Sequence, residues 1–266
     1  MTKGRASILP GIGTIPSSAS AAAFTPEQYA AFAAIEAGHF WFEARTRLIL
    51  WALGRHFPEA RSFLDVGCGT GFMLRAVRAA HPSMALAGSE TGTAALALAR
   101  RNVPGAHVFV ADARALPLRR AYDVAGAFDV LEHIDDDAGA LAAMREAIAP
   151  GGGLLVTVPQ HMWMWSPADD IAKHVRRYSR RELLARVTAA GFDVLQVTSF
   201  VSLLLPLMAA LRFYSRVGRF TPESERQYPR AVHAAFSAAL TVERAAIRAG
   251  VSWPAGGSLF LAARRR

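Results

Sequence analysis

The stretch FLDVGCGTGFMLRAV, residues 63–77, constrains the fold of this chain more than any other. An apolar run ends on one acid, Asp65, and glycines then stand at every second position: Gly67, Gly69 and Gly71. Apolar residues resume with helical spacing at Met73, Leu74 and Val77. That order reads as a buried strand, a turn of bare backbone and a helix. Glycine accepts positive φ and lets peptide groups approach a ligand closely, which makes the turn a candidate binding loop. In an open α/β sheet such loops lie beyond the carboxyl ends of the strands, where ligands bind.

The flanking sequence repeats the alternation. SFLDVG (62–67), MALAGSE (84–90), AHVFVAD (106–112), YDVAGAFD (122–129) and GGLLVTVP (152–159) read as strands. Helical spacing falls between them over 71–80, 92–101 and 136–150, the last ended by Pro150. SRRELLARVTAAGF (179–192) reads as a helix with a capping box at Ser179 and Glu182, stopped by Gly191. FDVLQVTSF (192–200) and SLFLAAR (258–264) complete seven strands. Apolar strands alternating with helices predict an α/β fold, a doubly wound, mostly parallel seven-stranded sheet covered on both faces. Upstream, Thr25, Pro26 and Gln28 form a helix start, and Gly38 divides that helical region in two.

The 266 residues are 52% hydrophobic, enough for a sizeable core. One cysteine, Cys68, excludes a disulfide framework and a cysteine-based metal cluster and fits a reducing, cytoplasmic setting. A net charge of +9 admits nucleic acid, an anionic membrane surface or acidic substrates as partners. An arginine-rich, GC-rich genome gives the same balance, and no RNA module or stacking platform is present, so no nucleic-acid partner is expected. FVSLLLPLMAAL (200–211) carries no charge and is followed by Arg212, Arg216 and Arg219. At 12 residues it is too short to span a bilayer. It can rest on an anionic inner membrane face, roof a greasy pocket, meet another subunit or pack in the core.

The glycine spacing separates ligand classes. A dinucleotide fold wants G-x-G-x-x-G, but the third glycine would fall at Phe72, and GxxxxGK is absent. LDVGCGTG instead resembles the first motif of the class I S-adenosylmethionine-dependent methyltransferases, a Rossmann-like fold. The resemblance continues in register through GSETG, VADARALP, FDVLEHIDDD and GGGLLVTVPQH. It implies S-adenosylmethionine as cofactor. Asp65, Gly67, Cys68, Gly69 and Gly71 would lie against it. Glu90 would accept from the ribose hydroxyls and Asp112, beside Ala113, from the adenine amino group. Phe128 and Asp129 would follow on the fourth strand. GHFWFEARTRLIL (38–50) resembles the N-terminal lid of related enzymes. There Arg45 would meet the methionine carboxylate, and Trp41 would face the sulfonium and the acceptor.

Methylators of DNA and protein amino groups often carry an Asn/Asp-Pro-Pro-aromatic turn where this chain has FDVLEH. The expected acceptor is therefore oxygen or carbon of a small molecule. The apolar 200–211 stretch and the tryptophans raise the expectation that this molecule is lipophilic. His133, His161 and His174 are the candidate bases. VPQHMWMWSPADDIAKHVRRYSRRE (158–182) resembles a subgroup of bacterial methyltransferases of unassigned substrate, and its Trp163, Trp165, Arg177 and Tyr178 are candidate substrate contacts. In ubiquinone-pathway relatives a stretch similar to Glu132–His133 has been linked to divalent metal, but two adjacent residues make a poor metal site by themselves, so no metal is expected. The division read from the sequence is a flexible leader (1–24), a helical lid (25–60), a cofactor-binding core (61–200), a helical, partly apolar insertion (201–256), and a final strand with a basic tail (257–266). The alternative is a non-catalytic, cofactor-binding or scaffolding protein of the same fold. The oligomeric state is not legible.

Overall fold

Phe63 faces one layer of helices and Leu64 and Val66 face the other, and this period-two alternation organises the molecule. The computed structural model describes residues 38–216 and 229–266, together with Ala33 and Glu36. The leader, the helix start at Thr25, Pro26 and Gln28, and Arg219 lie outside the described residues.

In chain order the elements are α1 (Phe40–His56), β1 (Ser62–Val66), α2 (Phe72–Ala80), β2 (Ala85–Glu90), α3 (Thr93–Asn102), β3 (His107–Val110) and β4 (Tyr122–Phe128). Then follow α4 (Asp137–Ala147), β5 (Ile148–Pro159), α5 (Pro167–Ile171), α6 (Arg180–Ala189), β6 (Phe192–Phe200), α7 (Leu205–Arg216), α8 (Arg230–Arg248) and β7 (Ser258–Arg265). The seven strands form one sheet in the order β3-β2-β1-β4-β5-β7-β6. The ladders from β3 through β5 are parallel, and β7 runs antiparallel between β5 and β6. The order reverses between β1 and β4, so the ligand crevice of an open sheet belongs at their carboxyl ends.

Residues of α1, α2, α3 and α8 join the core on one face, with Leu53, Leu74, Leu96 and Leu240 buried against Phe63 and Phe260. Residues of α4 and α6 cover the other, with Leu141 and Leu183 against Leu64 and Leu261. Ser179 and Glu182 close the expected capping box on α6, and the Asp136 side chain caps α4. One boundary differs. The helix expected to reach Pro150 ends at Ala147, and Ile148, fully buried, already pairs with Tyr122. The ladder then shifts register before Gly153 pairs with Val124. Pro150 has no N–H to donate and Gly151 takes φ of 75°, so both suit that irregularity rather than a helix end.

Candidate active site

A cavity of about 570 Å³ opens where β1, β2, β4 and β5 end. Gly67, Cys68, Gly69 and Thr70 of the glycine turn line it, whereas Gly71 packs against Ala99 and Val103 outside the lining. Gly67, Gly69 and Gly71 all have positive φ, at 71°, 50° and 82°. At Gly67 a side chain is also shut out sterically, because a Cβ would lie 2.6 Å from Val130 Cγ2. At Gly69 a Cβ would meet nothing within 4 Å, and the residue lines the cavity. Cys68 is buried, its thiol pushed up by burial and by the nearby Asp65 and Glu90 charges, and its sulfur packs where a Cβ on Gly88 would fall. Its side chain packs against β2, and the residue also lines the cavity.

Glu90 ends β2 on the cavity rim. Its Oε2 accepts from the Gly69 N–H at 3.1 Å, and its Oε1 from the N–H groups of Thr91 and Gly92 at 2.8 and 3.2 Å. The acid is thereby fixed against the turn. Asp65, at the end of β1, is 2% exposed. Burial pushes its carboxyl up to about 8; Arg45 opposes this and Glu90 and Glu36 add to it. The raised value has a sign that can be tested. Between the ordinary aspartate range near pH 4 and about pH 8 the folded protein keeps a proton that the unfolded chain has lost, so stability falls as pH rises. Asp65→Asn should melt close to wild type at pH 5 and several degrees higher at pH 8 in cofactor-free protein. Parallel melting curves at both pH values would refute the assignment.

Asp112 and Ala113 line the same cavity beyond β3. The Asp112 carboxylate is held by the Arg114 guanidinium, whose Nε donates to both oxygens at 3.0 and 3.1 Å, and this contact lowers its pKa. Arg114 is a surface residue, so a base amino group would share or replace its bonds. Asp129, just past β4, sits at φ of 58° beside Phe128, and both line the cavity. Its Oδ2 accepts from Arg45 Nη1 and from the Thr157 hydroxyl. Arg45 was expected to face a ligand carboxylate; in this structure its partner is Asp129. Its guanidinium carbon stands 4.7 Å over the Trp41 ring and 5.3 Å from that of Phe42, and all three residues bring α1 to the cavity wall.

Of the three candidate bases, His133 and His174 line the cavity and His161 does not. Past β5 the chain turns at His161, whose φ is 66°, and its ring stacks on Trp163 at 5.2 Å. Trp163 is 54% exposed, and Trp165 donates from Nε1 to Asp170. Neither tryptophan is part of the cavity lining. Tyr178 is a core residue: its hydroxyl donates to Asp137 Oδ2 at 2.8 Å, and burial raises its pKa. Three expected substrate contacts, Trp163, Trp165 and Tyr178, are thus not part of the cavity lining, although His174 and Arg177 of the same segment are. Arg177 stays, buried in the lining.

The group that links these residues lies in the substrate-facing segment 158–182 but was not among the candidate site residues. Asp169, 1% exposed, accepts from His174 Nδ1 at 2.9 Å, Arg177 Nε at 2.8 Å and Arg212 Nη1 at 3.2 Å. Burial alone would raise its carboxyl, but these three partners hold it well below the usual range. The signal available was the Ser166–Asp169 capping box at the start of α5. Arg212 and Met208 of α7 reach the cavity, so the insertion closes part of it. Glu132 was weighed only together with His133, as a pair too small to hold a metal. It is fully buried in the lining, its carboxyl raised first by burial and then by the Asp129 charge. Burial and the charge of His174 push His133 down to about 4.

The strand order, the glycine turn after β1 and the acid ending β2 define the class I S-adenosylmethionine-dependent methyltransferase fold. A family model described as a methyltransferase domain matches residues 33–197, and the chain belongs to that family. Trans-aconitate 2-methyltransferase of Acidovorax ebreus (strain TPSY) is 29% identical over 165 residues, covering 61% of this chain and 63% of that protein. An N,N-dimethyltransferase of Saccharopolyspora spinosa, acting on dTDP-4-amino-2,3,4,6-tetradeoxy-D-glucose, is 34% identical over 134 residues, 49% of this chain and 48% of its own. The match therefore spans less than two thirds of these curated relatives. Among solved structures, Haemonchus contortus phosphoethanolamine N-methyltransferase 2 in complex with S-adenosyl-L-methionine superposes with a TM-score of 0.59 at 17% identity, over 91% of this chain and 57% of that one.

The family cofactor is S-adenosylmethionine, and the residues present fit it. The space beside Gly69 admits a ligand against bare backbone, Glu90 offers a fixed carboxylate for a diol, and the cavity has the size of a small-molecule site.

Proposed function

We propose that this chain is an S-adenosylmethionine-dependent methyltransferase that methylates oxygen, or else carbon, of a small molecule. The observation that carries the reading is one cavity lined by both the Gly69–Glu90 rim and the wall made by Glu132, His133 and His174. S-adenosylmethionine, when bound, supplies an electrophilic methyl on sulfur. The chain's own residues then have to hold the nucleoside, place the acceptor in line and remove its proton. Gly69 and Glu90 hold, and Trp41 and Arg45 wall the space between. His174 is oriented by Asp169 at Nδ1, which leaves its Nε2 on the Glu132 side, 3.9 Å from Oε1. Deprotonation of the acceptor is assigned to this wall.

The same lining bears on the acceptor's character. Met208 is the apolar residue that α7 lends to it and supports a partly lipophilic molecule. Glu132, His133, Lys173 and His174 favour a polar reacting group on that molecule. Among the described residues no helix is long and apolar enough to cross a membrane. Leu203, Leu207 and Phe213, at and along α7, are exposed, and they support contact with an anionic membrane surface.

The test is binding and turnover together. S-adenosylmethionine should bind where NADH does not. Release of S-adenosylhomocysteine should appear with an acceptor drawn from hydroxyl- and carboxyl-bearing molecules, presented in water and in anionic vesicles that float with the protein. His174→Gln should lower kcat by roughly 100-fold or more with cofactor affinity unchanged. Binding without turnover on any acceptor would favour the scaffolding alternative, and no binding at all would end both.

A further inference from the structure

Glu36 brings a carboxylate from the lid segment into the cavity. It lies in helical backbone just upstream of α1 and is part of the lining. Its Oε2 accepts from the Thr70 hydroxyl. Thr70 is buried, and its carbonyl accepts from Asn102 Nδ2 at 2.8 Å, so the end of α3 holds this residue of the glycine turn from behind. A second tie binds the lid to the turn. The Phe42 and Phe72 rings meet edge to face at 6.0 Å between centroids, which sets α1 against the start of α2. The Glu36 carboxylate is therefore placed by the fold. Among the described residues Thr70 is its hydrogen-bonding partner, and Oε1 remains available to a ligand.

Electrostatics define the ligand's charge. Around the turn the described lining holds Glu36, Asp65, Glu90 and Asp129 against one cation, Arg45, which is already paired with Asp129. Burial raises the Glu36 carboxyl, while the Thr70 hydroxyl, Arg45 and the exposed Arg75 oppose the rise. Glu36 adds in turn to the upward push on Asp65. Acids that lose water and raise one another are stabilised by a positive charge placed among them. The wall made by the 172–177 segment and α7 has the reverse character, with Lys173, Arg177 and Arg212 in the lining. A cation belongs at the turn.

S-adenosylmethionine has two positive groups, the sulfonium and the α-ammonium, both on its methionine portion. We propose that Glu36 is a cofactor-binding residue that meets this cationic portion and, through its bond to Thr70, ties the lid over the glycine turn. The inference rests on the methyl-transfer reading above and adds to it a residue that the lid motif around Trp41 and Arg45 does not include.

Glu36→Gln separates the charge from the tie, because the Gln carbonyl oxygen still accepts from the Thr70 hydroxyl. The full chain is titrated calorimetrically with S-adenosylmethionine, S-adenosylhomocysteine and methylthioadenosine, which shares the nucleoside and carries neither cation. S-adenosylmethionine affinity should fall by roughly tenfold or more in the variant, the loss of one charge-assisted contact. S-adenosylhomocysteine keeps only the ammonium; it falls as far if Glu36 meets that group and less than about twofold if Glu36 meets the sulfonium. Methylthioadenosine should bind wild type and variant within about a factor of two. That result, with a cofactor-free melting temperature no lower than wild type, shows that the variant is folded. Unchanged S-adenosylmethionine affinity overturns the proposal. An equal loss for methylthioadenosine also overturns it, because Glu36 would then shape the lid without reading charge. Wild-type protein that binds no S-adenosylmethionine refutes the methyltransferase reading and this one with it, whereas wild-type binding unaltered by Glu36→Gln refutes this one alone.

Discussion

Glu90→Ala is expected to weaken S-adenosylmethionine binding by roughly 100-fold while leaving a folded protein. Two terms add. On the methyltransferase reading proposed above, the carboxylate would lose its bonds to the ribose diol, each charge-assisted bond being worth about 1.5–3 kcal/mol. It also loses its grip on the N–H groups of Gly69, Thr91 and Gly92, which fix the turn. A net loss of about 3 kcal/mol, the lower end of what these terms allow, corresponds to the stated factor. Glu90 lies at the cavity rim and not in the core, so circular dichroism should show native secondary structure. Calorimetric titration that returns wild-type affinity would mean that the nucleoside lies elsewhere.

Gly67→Ala and Gly69→Ala should part company, although the two glycines are two residues apart and both have positive φ. Gly67→Ala places a methyl 2.6 Å from Val130 Cγ2 at φ of 71°. Left-handed backbone costs about 1–2 kcal/mol and overpacking another 1–3 kcal/mol, for a loss near 3 kcal/mol. In a domain of this size that lowers Tm by on the order of 8 °C. Gly69→Ala meets nothing within 4 Å, so it pays only the backbone term, about 1 kcal/mol. Its methyl instead enters the ligand's space and should cost the cofactor at least roughly tenfold in affinity. Equal melting temperatures for the two variants, or intact cofactor binding by Gly69→Ala, would show that the turn has been misread.

The contrast shows what kind of information each level carries. From the sequence, Gly67 and Gly69 are equivalent members of one motif. Val130, 63 residues away on the chain, distinguishes them once β4 lies beside β1. The same holds for the histidines. His133, His161 and His174 were equal candidates by residue type, yet a single turn at φ of 66° carries His161 out to Trp163. Tyr178 has the look of a substrate contact in an aromatic, basic segment. Its hydroxyl is spent on Asp137 in the core, a pairing between residues 41 apart that no local pattern announces.

What the chain determines by itself is periodic or local. The alternation of buried strands with helices, the positive-φ turn and the capping boxes depend on neighbours within a few residues, and each is legible for that reason. The seven strands, the glycine loop and the acid ending the second strand all follow. Burial and partnership are not local. That Arg45 pairs with Asp129, that Asp169 gathers two arginines and a histidine, and that Glu132 is buried beside two imidazoles are decided by which segments the sheet brings together. A side chain's charge state and partners depend on the solvent it loses and the groups it meets, and both come into being only when the tertiary structure closes around it.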